Sequence, residues 1–351
     1  MKPYYLVSML LFVAAMAVLF AGCEKQTNAK PAENSPIKIT SAALFRVSDP
    51  GYVRSYSREA SVVCWASEGI LIATDHNRMI QAFDAASGKQ LWQKEFQRYI
   101  IAIESSARYV YAVLDTSYPG EKAETIRRLD VMTGEDSTPK GIPQPFLPQA
   151  LVWCEELQVL CVLQYEVFWI YSADLTSVRT RIPYVGGIPF VSYSSKLILA
   201  AEHQDSCTLF DLFRGSATRV YGPPHRGMAD LPECDAPALL SAFAAGDGRF
   251  IRVADSGWGP DNVHFQIDYT AEPRTVVLGH CSGVAAIHWP SNRLAISVDD
   301  TNLVFFSTTG ELLFTVKDAR KGGISSLSFS PSGAKIAALF SGDDVSIFDL
   351  K

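Results

Sequence analysis

The feature that most limits what this chain can fold into is a succession of short apolar runs that occurs seven times. The runs are rich in Val, Ile, Leu, Phe and Tyr, and Gly, Asp, Asn, Ser and Pro separate them, which is typical of many short strands. No long segment has the i, i+3, i+4, i+7 apolar spacing of an amphipathic helix. The succession starts near Gly69 and restarts at intervals of 38 to 53 residues, near Arg108, Leu157, Ser195, Gly248, Asn292 and Ala334.

This spacing predicts the architecture of the chain. Repeats of about 40–45 residues with four strands each are typical of propeller blades. Most units also have an apolar strand before the restart, as at residues 149–154, 238–244 and 324–329. We therefore predict an all-β chain, in which residues 38–351 form a seven-bladed β-propeller of four-stranded antiparallel blades. Sheets that pack face to face in a ring leave only short, protected edges.

The last unit stops at Lys351 after three strands, so its outer strand must come from elsewhere. Residues 38–47 lie before the first blade and have no partner there. They resemble the outer strands predicted at residues 89–96 and 311–317. We predict that this N-terminal strand completes the last blade and closes the ring.

Two stretches resemble WD40 repeats. Residues 279–306 contain a Gly-His pair that ends at His280, then an apolar strand, Ser297 and Asp300. Residues 330–349 end in Phe-Asp, where Trp-Asp is common in that family. The resemblance implies that His280 is structural and forms hydrogen bonds within its own blade, near Ser297 and Asp300.

The first blade resembles the quinoprotein-type repeat, because residues 82–92 contain its Asp, its Gly and its Leu-Trp pair. Quinoprotein dehydrogenases are usually longer, and many of them carry two adjacent cysteines. This chain has no Cys-Cys pair, and its Leu-Trp motif occurs once. We therefore expect no cofactor, and we expect Trp92 to pack between blades as large aromatic residues do. Both resemblances are to fold superfamilies and imply shape far more than activity.

The N-terminus has the pattern of an export signal. Residues 1–22 contain one basic residue, Lys2, an uncharged apolar run and small residues before Cys23. The run Leu-Phe-Ala-Gly-Cys that ends at Cys23 resembles the lipobox of bacterial lipoproteins. That resemblance implies a cleaved signal peptide over residues 1–22 and acyl chains such as palmitate on Cys23. The alternative is an uncleaved membrane anchor, since about 20 apolar residues can span a bilayer.

Residues 23–37 form the lipidated cysteine and a predicted flexible tether. Residues 24–36 contain no large apolar side chain, so they cannot bury surface to offset chain entropy. We expect a lipoprotein anchored to a membrane of the cell envelope, outside the cytoplasm. Glu24 stands where inner-membrane lipoproteins of enterobacteria carry Asp, which favours the outer membrane or the periplasmic side.

Charge and motif content argue against several activities. The formal net charge is −6, whereas a nucleic-acid partner requires a basic footprint. The six histidines do not occur at metal-ligand spacings with acidic or Cys neighbours. No Gly-x-Ser-x-Gly elbow is present, although a triad can assemble from distant residues. We predict no catalytic residue and no metal site.

Cysteine use leaves the disulfide pattern open. With Cys23 lipidated, six cysteines remain, and an exported protein permits disulfides. Cys154 and Cys161 flank one predicted hairpin and could be near each other. Cys64 and Cys154 lie in apolar strands and could be buried thiols. We expect no more than one bridge.

Unequal loop lengths suggest where a partner would bind. Four connections are long, and they join second to third strands or one blade to the next. These two classes of connection open on the same face of a propeller. The long connections are residues 116–124, 135–148, 222–236 and 256–262. Binding residues usually lie on loops held by a rigid scaffold. The alternative is that these loops only cover blade edges. The candidate binding face comprises Tyr118, His225, Arg226, Asp230, Trp258 and Asp261.

The function expected from these observations is a non-catalytic protein-binding scaffold on a membrane surface. The partner is expected to be a protein, because exposed Trp, Tyr and Arg are typical interface anchors. The alternative is an enzyme or a small-ligand binder that uses the central channel. A polar channel with a fixed carboxylate cluster would favour that alternative.

Overall fold

Each element that the computed structural model describes is a β-strand, because the apolar runs are short and rich in β-branched and aromatic residues, which fit a pleated, half-buried backbone. Within the described part of the chain, no helix is long and apolar enough to cross a membrane. The described residues are 42–46, 62–74, 78–115, 125–145, 148–155, 157–164, 167–183, 191–194, 197–203, 206–211, 216–221, 238–244, 250–255, 263–268, 274–279, 284–298, 302–317, 323–340 and 344–350. The predicted signal peptide, Cys23 and the tether lie outside them.

The strands are numbered in chain order, and the sheets that they form are numbered I to VII. The first strand is β1 (Ala42–Arg46). Sheet I contains β2 (Val63–Ser67), β3 (Ile70–Thr74), β4 (Met79–Asp84) and β5 (Gln90–Glu95). Sheet II contains β6 (Ile100–Ser105), β7 (Tyr109–Leu114) and β8 (Ile126–Asp130). Sheet III contains β9 (Pro148–Cys154), β10 (Val159–Gln164), β11 (Val167–Ser172) and β12 (Val178–Pro183).

The second half of the chain repeats this order. Sheet IV contains β13 (Val191–Ser194), β14 (Leu197–His203), β15 (Ser206–Asp211) and β16 (Ser216–Tyr221). Sheet V contains β17 (Ala238–Ala244), β18 (Phe250–Asp255), β19 (Val263–Asp268) and β20 (Arg274–Gly279). Sheet VI contains β21 (Ala285–His288), β22 (Arg293–Val298), β23 (Asn302–Phe306) and β24 (Leu312–Lys317). Sheet VII contains β25 (Ile324–Phe329), β26 (Lys335–Phe340), β27 (Asp344–Asp349) and β1.

The predicted all-β class is confirmed, and the described strands give six four-stranded antiparallel sheets and one of three strands. The N-terminal strand pairs as predicted. β1 lies antiparallel to β27 at the outer edge of sheet VII, with Ala42 opposite Ile347 and Phe45 opposite Val345. The described strand covers residues 42–46 of the predicted 38–47.

Sheet II differs from the prediction of four strands, because side-chain oxygens replace most of its outer strand. The outward N–H of Asp130 donates to the carbonyl of Glu135 at 2.9 Å. The N–H of Arg128 donates instead to Thr138 Oγ1 at 2.9 Å, and the N–H of Ile126 donates to Gln144 Oε1 at 3.0 Å. The segment after residue 138 contains Pro139 and Pro143, which have no N–H for a ladder. A single bridge, between Leu129 and Asp136, is therefore what remains of the fourth strand.

Apolar clusters join each sheet to its neighbours. The described strands belong to one compact unit, residues 35–351. The first strands of successive sheets lie side by side in the pairs β2/β6, β6/β9, β9/β13, β13/β17 and β21/β25, and β25 lies beside β2. Ile251 of sheet V packs with sheet VI. Each described sheet thus contacts the next, and sheet VII contacts sheet I. Shared clusters include Ile72 with Val110, Tyr111 with Leu160, Phe305 with Ile336, and Leu71 with Leu339.

Trp92 packs between sheets I and II, as predicted. Its ring is 8% exposed, and its Nε1–H donates to the carbonyl of Val131 at 2.8 Å. The ring lies on Gly134, whose φ is +69° and where a Cβ would stand 2.6 Å from the indole. Only glycine fits both the left-handed backbone and this close approach.

Cys64, Cys154 and Cys161 are buried and form no disulfide, as expected for the thiols of Cys64 and Cys154. Cys154 stands opposite Val159, and Cys161 stands opposite Val152, so the two cysteines are diagonal neighbours in the ladder. Diagonal partners lie about 7–8 Å apart, beyond the range of an unstrained disulfide. Burial also raises the pKa of the Cys161 thiol. Cys207 lies on β15, and Cys234 and Cys281 lie outside the described residues.

Candidate functional site

The antiparallel order gives every sheet two ends. The short-turn end carries the turns from first to second and from third to fourth strands. The long-connection end carries the turns from second to third strands and the connections between sheets. Equivalent turns of neighbouring sheets touch: the N–H of Ser332 donates to Glu68 Oε1 at 2.6 Å, and His288 Nε2 lies 3.1 Å from the carbonyl of Pro331. The short-turn ends of sheets VI, VII and I therefore lie together.

Three of the four predicted long loops connect strands at the long-connection end. Residues 116–124 lie between β7 and β8, residues 222–236 between β16 and β17, and residues 256–262 between β18 and β19. The strands that flank these loops are described. The residues of the candidate binding face lie outside the described part of the chain, and their role stays a prediction: Tyr118, His225, Arg226, Asp230, Trp258 and Asp261.

The fourth long loop, residues 135–148, is described apart from residues 146–147, and it covers the outer edge of sheet II. Its anchor is Gln144, whose Oε1 accepts hydrogen bonds from Thr125 N, Thr125 Oγ1 and Ile126 N at 3.2, 2.9 and 3.0 Å. Tyr171 of sheet III holds the same loop, because its hydroxyl donates to the carbonyl of Pro143 at 2.9 Å. For this loop, the structure supports the alternative of edge cover.

The hydrogen-bond network implied by the WD40 resemblance stays a prediction. Ser297 is fully buried on β22, and its hydroxyl has no hydrogen-bond partner in the described residues. His280 and Asp300 lie outside those residues.

The short-turn end of sheets II and III carries a surface that the sequence did not reveal. Two guanidinium groups lie over the ring of Tyr109, with the Arg108 carbon 5.0 Å and the Arg128 carbon 4.5 Å from its centroid. Arg128 is fixed by hydrogen bonds to the Ser137 carbonyl at 2.6 Å, the Ser137 hydroxyl at 3.1 Å and the Asp174 carbonyl of sheet III. The ring and the inner guanidinium are therefore held rigidly, while Arg108 is exposed.

Met132 lies in the turn beside Arg108 and Tyr109. The N–H of Val131 donates to the carbonyl of Arg108 at 3.0 Å, which places the two turns side by side. Met132 is 63% exposed, more than any other large apolar side chain described. We call Arg108, Tyr109, Arg128 and Met132 the Tyr109 surface. Met, Tyr and Arg are enriched in protein interfaces.

A weak signal in the sequence could have found Met132. The turn Asp-x-x-Thr-Gly of residues 130–134 matches the turn Asp-x-x-Ser-Gly of residues 84–88. In both turns the Asp Oδ1 accepts the N–H of the Ser or Thr, at 2.7 Å for Ser87 and 3.0 Å for Thr133. The second turn has Met132 where the first has Ala86. Turn geometry does not require a large apolar residue at this solvent-facing position, and its presence there is the signal.

An acidic turn borders the Tyr109 surface. Asp174 Oδ1 accepts hydrogen bonds from the Ser172 hydroxyl and from the backbone and hydroxyl of Thr176. These bonds, Ser172 first, lower the pKa of Asp174 to about 2, and the charge of Arg128 acts in the same direction. Asp174 is therefore a carboxylate at neutral pH, and its Oδ1 is engaged within its own turn.

The first strands of the seven sheets carry a single carboxylic acid, Glu104 on β6. Burial raises the pKa of Glu104 to about 7, although the N–H of Ser105 donates to its Oε2 at 3.1 Å and acts in the opposite direction. The described residues contain no group of three or more His, Cys, Asp and Glu residues that could hold a metal ion.

Comparison with known proteins shows the fold and no more. No family model and no curated protein matches the sequence. A chain of hydrazine synthase from Kuenenia stuttgartiensis is similar in structure, with a TM-score of 0.61 over 86% of this chain and 99% of that chain. The two sequences are 12% identical, so the likeness concerns the fold alone. Together with the succession of antiparallel sheets, it gives a propeller-like all-β fold.

Proposed function

We propose that this protein is a membrane-anchored, extracytoplasmic lipoprotein whose body is a closed seven-bladed β-propeller, and that it acts as a non-catalytic protein-binding scaffold. The observation that carries the binding role is the Tyr109 surface. The ring of Tyr109, with the hydrogen-bonded guanidinium of Arg128 over it, is ordered before any partner arrives. Met132 in the neighbouring turn is 63% exposed. A preordered surface loses little side-chain entropy on binding.

The closed ring is supported by contacts that run from sheet to sheet. The first strands of sheets VII and I lie side by side, and the N–H of Val63 donates to Ser326 Oγ at 3.2 Å across that seam. The indole of Trp65 donates to the carbonyl of Ser328 at 2.9 Å in the same place. β1 then supplies the outer strand that the last repeat lacks. Ring closure leaves no sheet face unpaired.

The lipid anchor rests on the lipobox resemblance at Cys23. Growth with a clickable palmitate analogue tests it. We expect label on the wild-type protein and none on Cys23→Ser, with the unprocessed signal peptide retained in the variant. Equal labelling of both proteins would contradict the anchor.

Site-specific photo-crosslinking in intact cells tests the scaffold role. A photo-reactive residue at position 132 is expected to give one discrete crosslinked protein, and Arg108→Ala, with the probe in place, is expected to reduce its yield at least about tenfold, as for an interface anchor. Leu313, which is 41% exposed on β24, provides the matched control position for an exposed apolar side chain elsewhere. Identical crosslinks from positions 132 and 313 would contradict a specific surface.

The same experiment decides which end of the sheets binds. The double variant Trp258→Ala and Arg226→Ala alters the predicted face at the long-connection end and leaves the Tyr109 surface intact. Loss of the crosslink from position 132 in this variant would place the partner across both ends. An unchanged crosslink would assign it to the short-turn end.

A small-ligand site in the central channel is the second candidate function, and Glu104 is the observation that favours it. A single carboxylic acid among otherwise uncharged first strands could bind an amine or another cation. Glu104→Gln removes that charge with little change of shape. A ligand-induced rise in melting temperature that is abolished by Glu104→Gln would support this candidate.

A further inference from the structure

Exposed large apolar side chains are few among the described residues, and two of them lie at equivalent places in sheets I and VI. Leu91 of β5 is 42% exposed, and Leu313 of β24 is 41% exposed. The third, Met132, belongs to the Tyr109 surface. A single exposed leucine is normal on a protein surface, so what matters is where these two lie.

Both leucines lie at a β-bulge at the short-turn end of an outer strand. Leu91 is the second residue of β5, and Leu313 is the second residue of β24. The registers of the two strands with their neighbours skip these residues, so neither has a partner in the ladder. Sheet III has the same bulge at the second residue of β12, where the exposed residue is Arg179. The bulge therefore does not require an apolar side chain.

The N-terminal strand begins at this same end, on the sheet between the two leucines. Sheet VII lies between sheets VI and I, because β25 lies beside both β21 and β2. Its third strand, β27, ends at the short-turn end, where the N–H of Leu350 donates to the carbonyl of Ala334 at 2.8 Å. β1 runs antiparallel to β27 and therefore begins at that end, at Ala42. The chain that comes from Cys23 thus reaches β1 on the sheet that the two leucines flank.

The short turns of sheets VI, VII and I are poor in charge. The β25–β26 turn, residues 330–334, and the β21–β22 turn, residues 289–292, contain no charged side chain. The other short turns of these sheets contain Glu68, Lys89 and Glu311, and Glu68 accepts a backbone N–H of sheet VII. Few charges must therefore lose water when this end approaches an apolar phase.

We propose that the outer edge of sheets VI, VII and I, at the short-turn end, lies on the lipid bilayer, with Leu91 and Leu313 inserted between headgroups and acyl chains. We call these two leucines and residues 330–334 the leucine rim. The proposal rests on the lipid anchor at Cys23 proposed above. The Tyr109 surface lies on sheets II and III, outside this edge.

The anchor makes a small apolar surface sufficient. A flexible chain of the length of the predicted tether, residues 24–37, spans about 20 Å on average, roughly half the width of a domain whose radius of gyration is about 20 Å. The side on which the chain reaches β1 therefore meets the bilayer more often than the opposite side. Because the contact is then intramolecular, burial of the exposed parts of two leucines favours this orientation by about tenfold.

Photo-crosslinking to lipid tests the leucine rim. The mature lipidated protein, with a photo-reactive residue at position 91, 313 or 179, is reconstituted into vesicles of phosphatidylethanolamine and phosphatidylglycerol that contain an alkyne-tagged phospholipid. Position 179 is the matched control, because it is an exposed bulge position at the equivalent place in sheet III. We expect adduct yields at positions 91 and 313 at least about fivefold above the yield at position 179. Equal yields at the three positions would overturn the proposal.

Flotation of the same vesicles tests the anchor separately. Protein that floats with the vesicles and gives equal adduct yields at the three positions has the anchor and lacks the rim contact. Wild-type protein that does not float would contradict the anchor, and the rim proposal would fail with it.

Two charge-matched variants separate apolar contact from repulsion by anionic lipid. The photo-reactive residue is placed at Ala86, which is exposed in the β4–β5 turn of sheet I. Leu91→Glu with Leu313→Glu makes the net charge more negative by two, and so does Arg179→Glu. We expect the leucine variant to lower the lipid adduct yield at least about fivefold, and Arg179→Glu to leave it unchanged. Equal losses would assign the effect to charge and overturn the proposal, as would an undiminished yield in the leucine variant.

Discussion

Sheets II and VII both lack a fourth strand from their own repeat, and they protect their outer edges in different ways. Sheet VII receives β1 from the far end of the chain, which pairs with β27 through the backbone. Sheet II keeps its own chain segment, but Thr138 and Gln144 offer side-chain oxygens to Arg128 and Ile126. In both sheets, buried donors of an edge strand find acceptors, as the cost of an unpaired N–H demands.

The difference between these two edges shows two ways in which a repeat can tolerate a missing strand. A borrowed strand supplies a continuous ladder and ties the two chain ends together. Side-chain acceptors supply isolated hydrogen bonds and do not require the segment to run as a strand. The segment can therefore contain the prolines at positions 139 and 143, which cannot donate to a ladder. We therefore expect removal of β1 to destabilise sheet VII as a whole. In sheet II, we expect the loss of each acceptor to lower the stability by the energy of the hydrogen bonds that it accepts.

Deletion of residues 38–47 is expected to have the largest effect. It removes the backbone pairing of β1 and exposes the edge at Val345 and Ile347, which are buried. At about 1 kcal/mol for each backbone hydrogen bond lost, we expect a loss of roughly 3 kcal/mol in the free energy of unfolding. Urea titration measures it. Deletion of residues 24–33 of the tether, the control, should change nothing, and an equal loss there would contradict the role of β1.

Gln144→Ala is expected to have the next largest effect. It removes the acceptor of three hydrogen bonds and leaves the N–H groups of Thr125 and Ile126 unpaired at the edge of sheet II. We expect a loss of about 2 kcal/mol in urea titration. Gln144→Glu keeps the oxygen acceptors and should retain most of the stability. Equal losses from the two variants would show that packing, and not hydrogen bonding, holds the loop.

Thr138→Val has a smaller expected effect, because it removes the acceptor of Arg128 N and an exposed hydrogen bond to Asp136 Oδ1, while the shape of the side chain is kept. We expect a loss of about 1 kcal/mol. Thr138→Ser, which keeps the hydroxyl, is the matched control. If valine is as stable as serine, the outer edge of sheet II does not depend on this oxygen.

The smallest expected difference is one of pH dependence. The two sheets also differ in charge near their first turns. Glu104 of sheet II lies two residues before the β6–β7 turn, whereas the uncharged Ser328 holds the equivalent position in sheet VII. Because the folded pKa of Glu104 is raised to about 7 from 4.5, the folded protein keeps a proton that the unfolded chain loses, and its stability falls as the pH rises between these values. Glu104→Gln should remove this slope and match the wild type near pH 4. The same slope in both proteins would contradict the assignment.

Features that depend on the local sequence pattern could be predicted from the sequence. The strands at 238–244 and 324–329 have the predicted bounds, since each apolar run ends in turn residues. The pairing of β1 was predictable because residues 38–47 have the sequence pattern of an outer strand and no local partner. The packing of Trp92 between sheets followed from its size.

Other features depend on atoms that the chain brings together from a distance. In sheet II, the fourth strand is missing because the side-chain amide of Gln144, which follows two prolines, hydrogen-bonds to the edge of the sheet in its place. The Tyr109 surface depends on Arg128 reaching the Asp174 turn of another sheet, which no local pattern contains. The diagonal register of Cys154 and Cys161, which keeps the two cysteines from forming a disulfide, is set by the hairpin pairing and not by their spacing alone.

The central claim is that the N-terminal strand closes the ring against the last strand, and a cysteine pair tests it most directly. Phe45 stands opposite Val345 in the register of β1 and β27, and paired residues on antiparallel strands are close enough for a disulfide. In a Cys23→Ser background, Phe45→Cys with Val345→Cys should form one disulfide within the chain on mild oxidation. Phe45→Cys with Leu313→Cys, on sheet VI, should form none. A chain that forms the bond only between two molecules, or equally with position 313, would contradict closure.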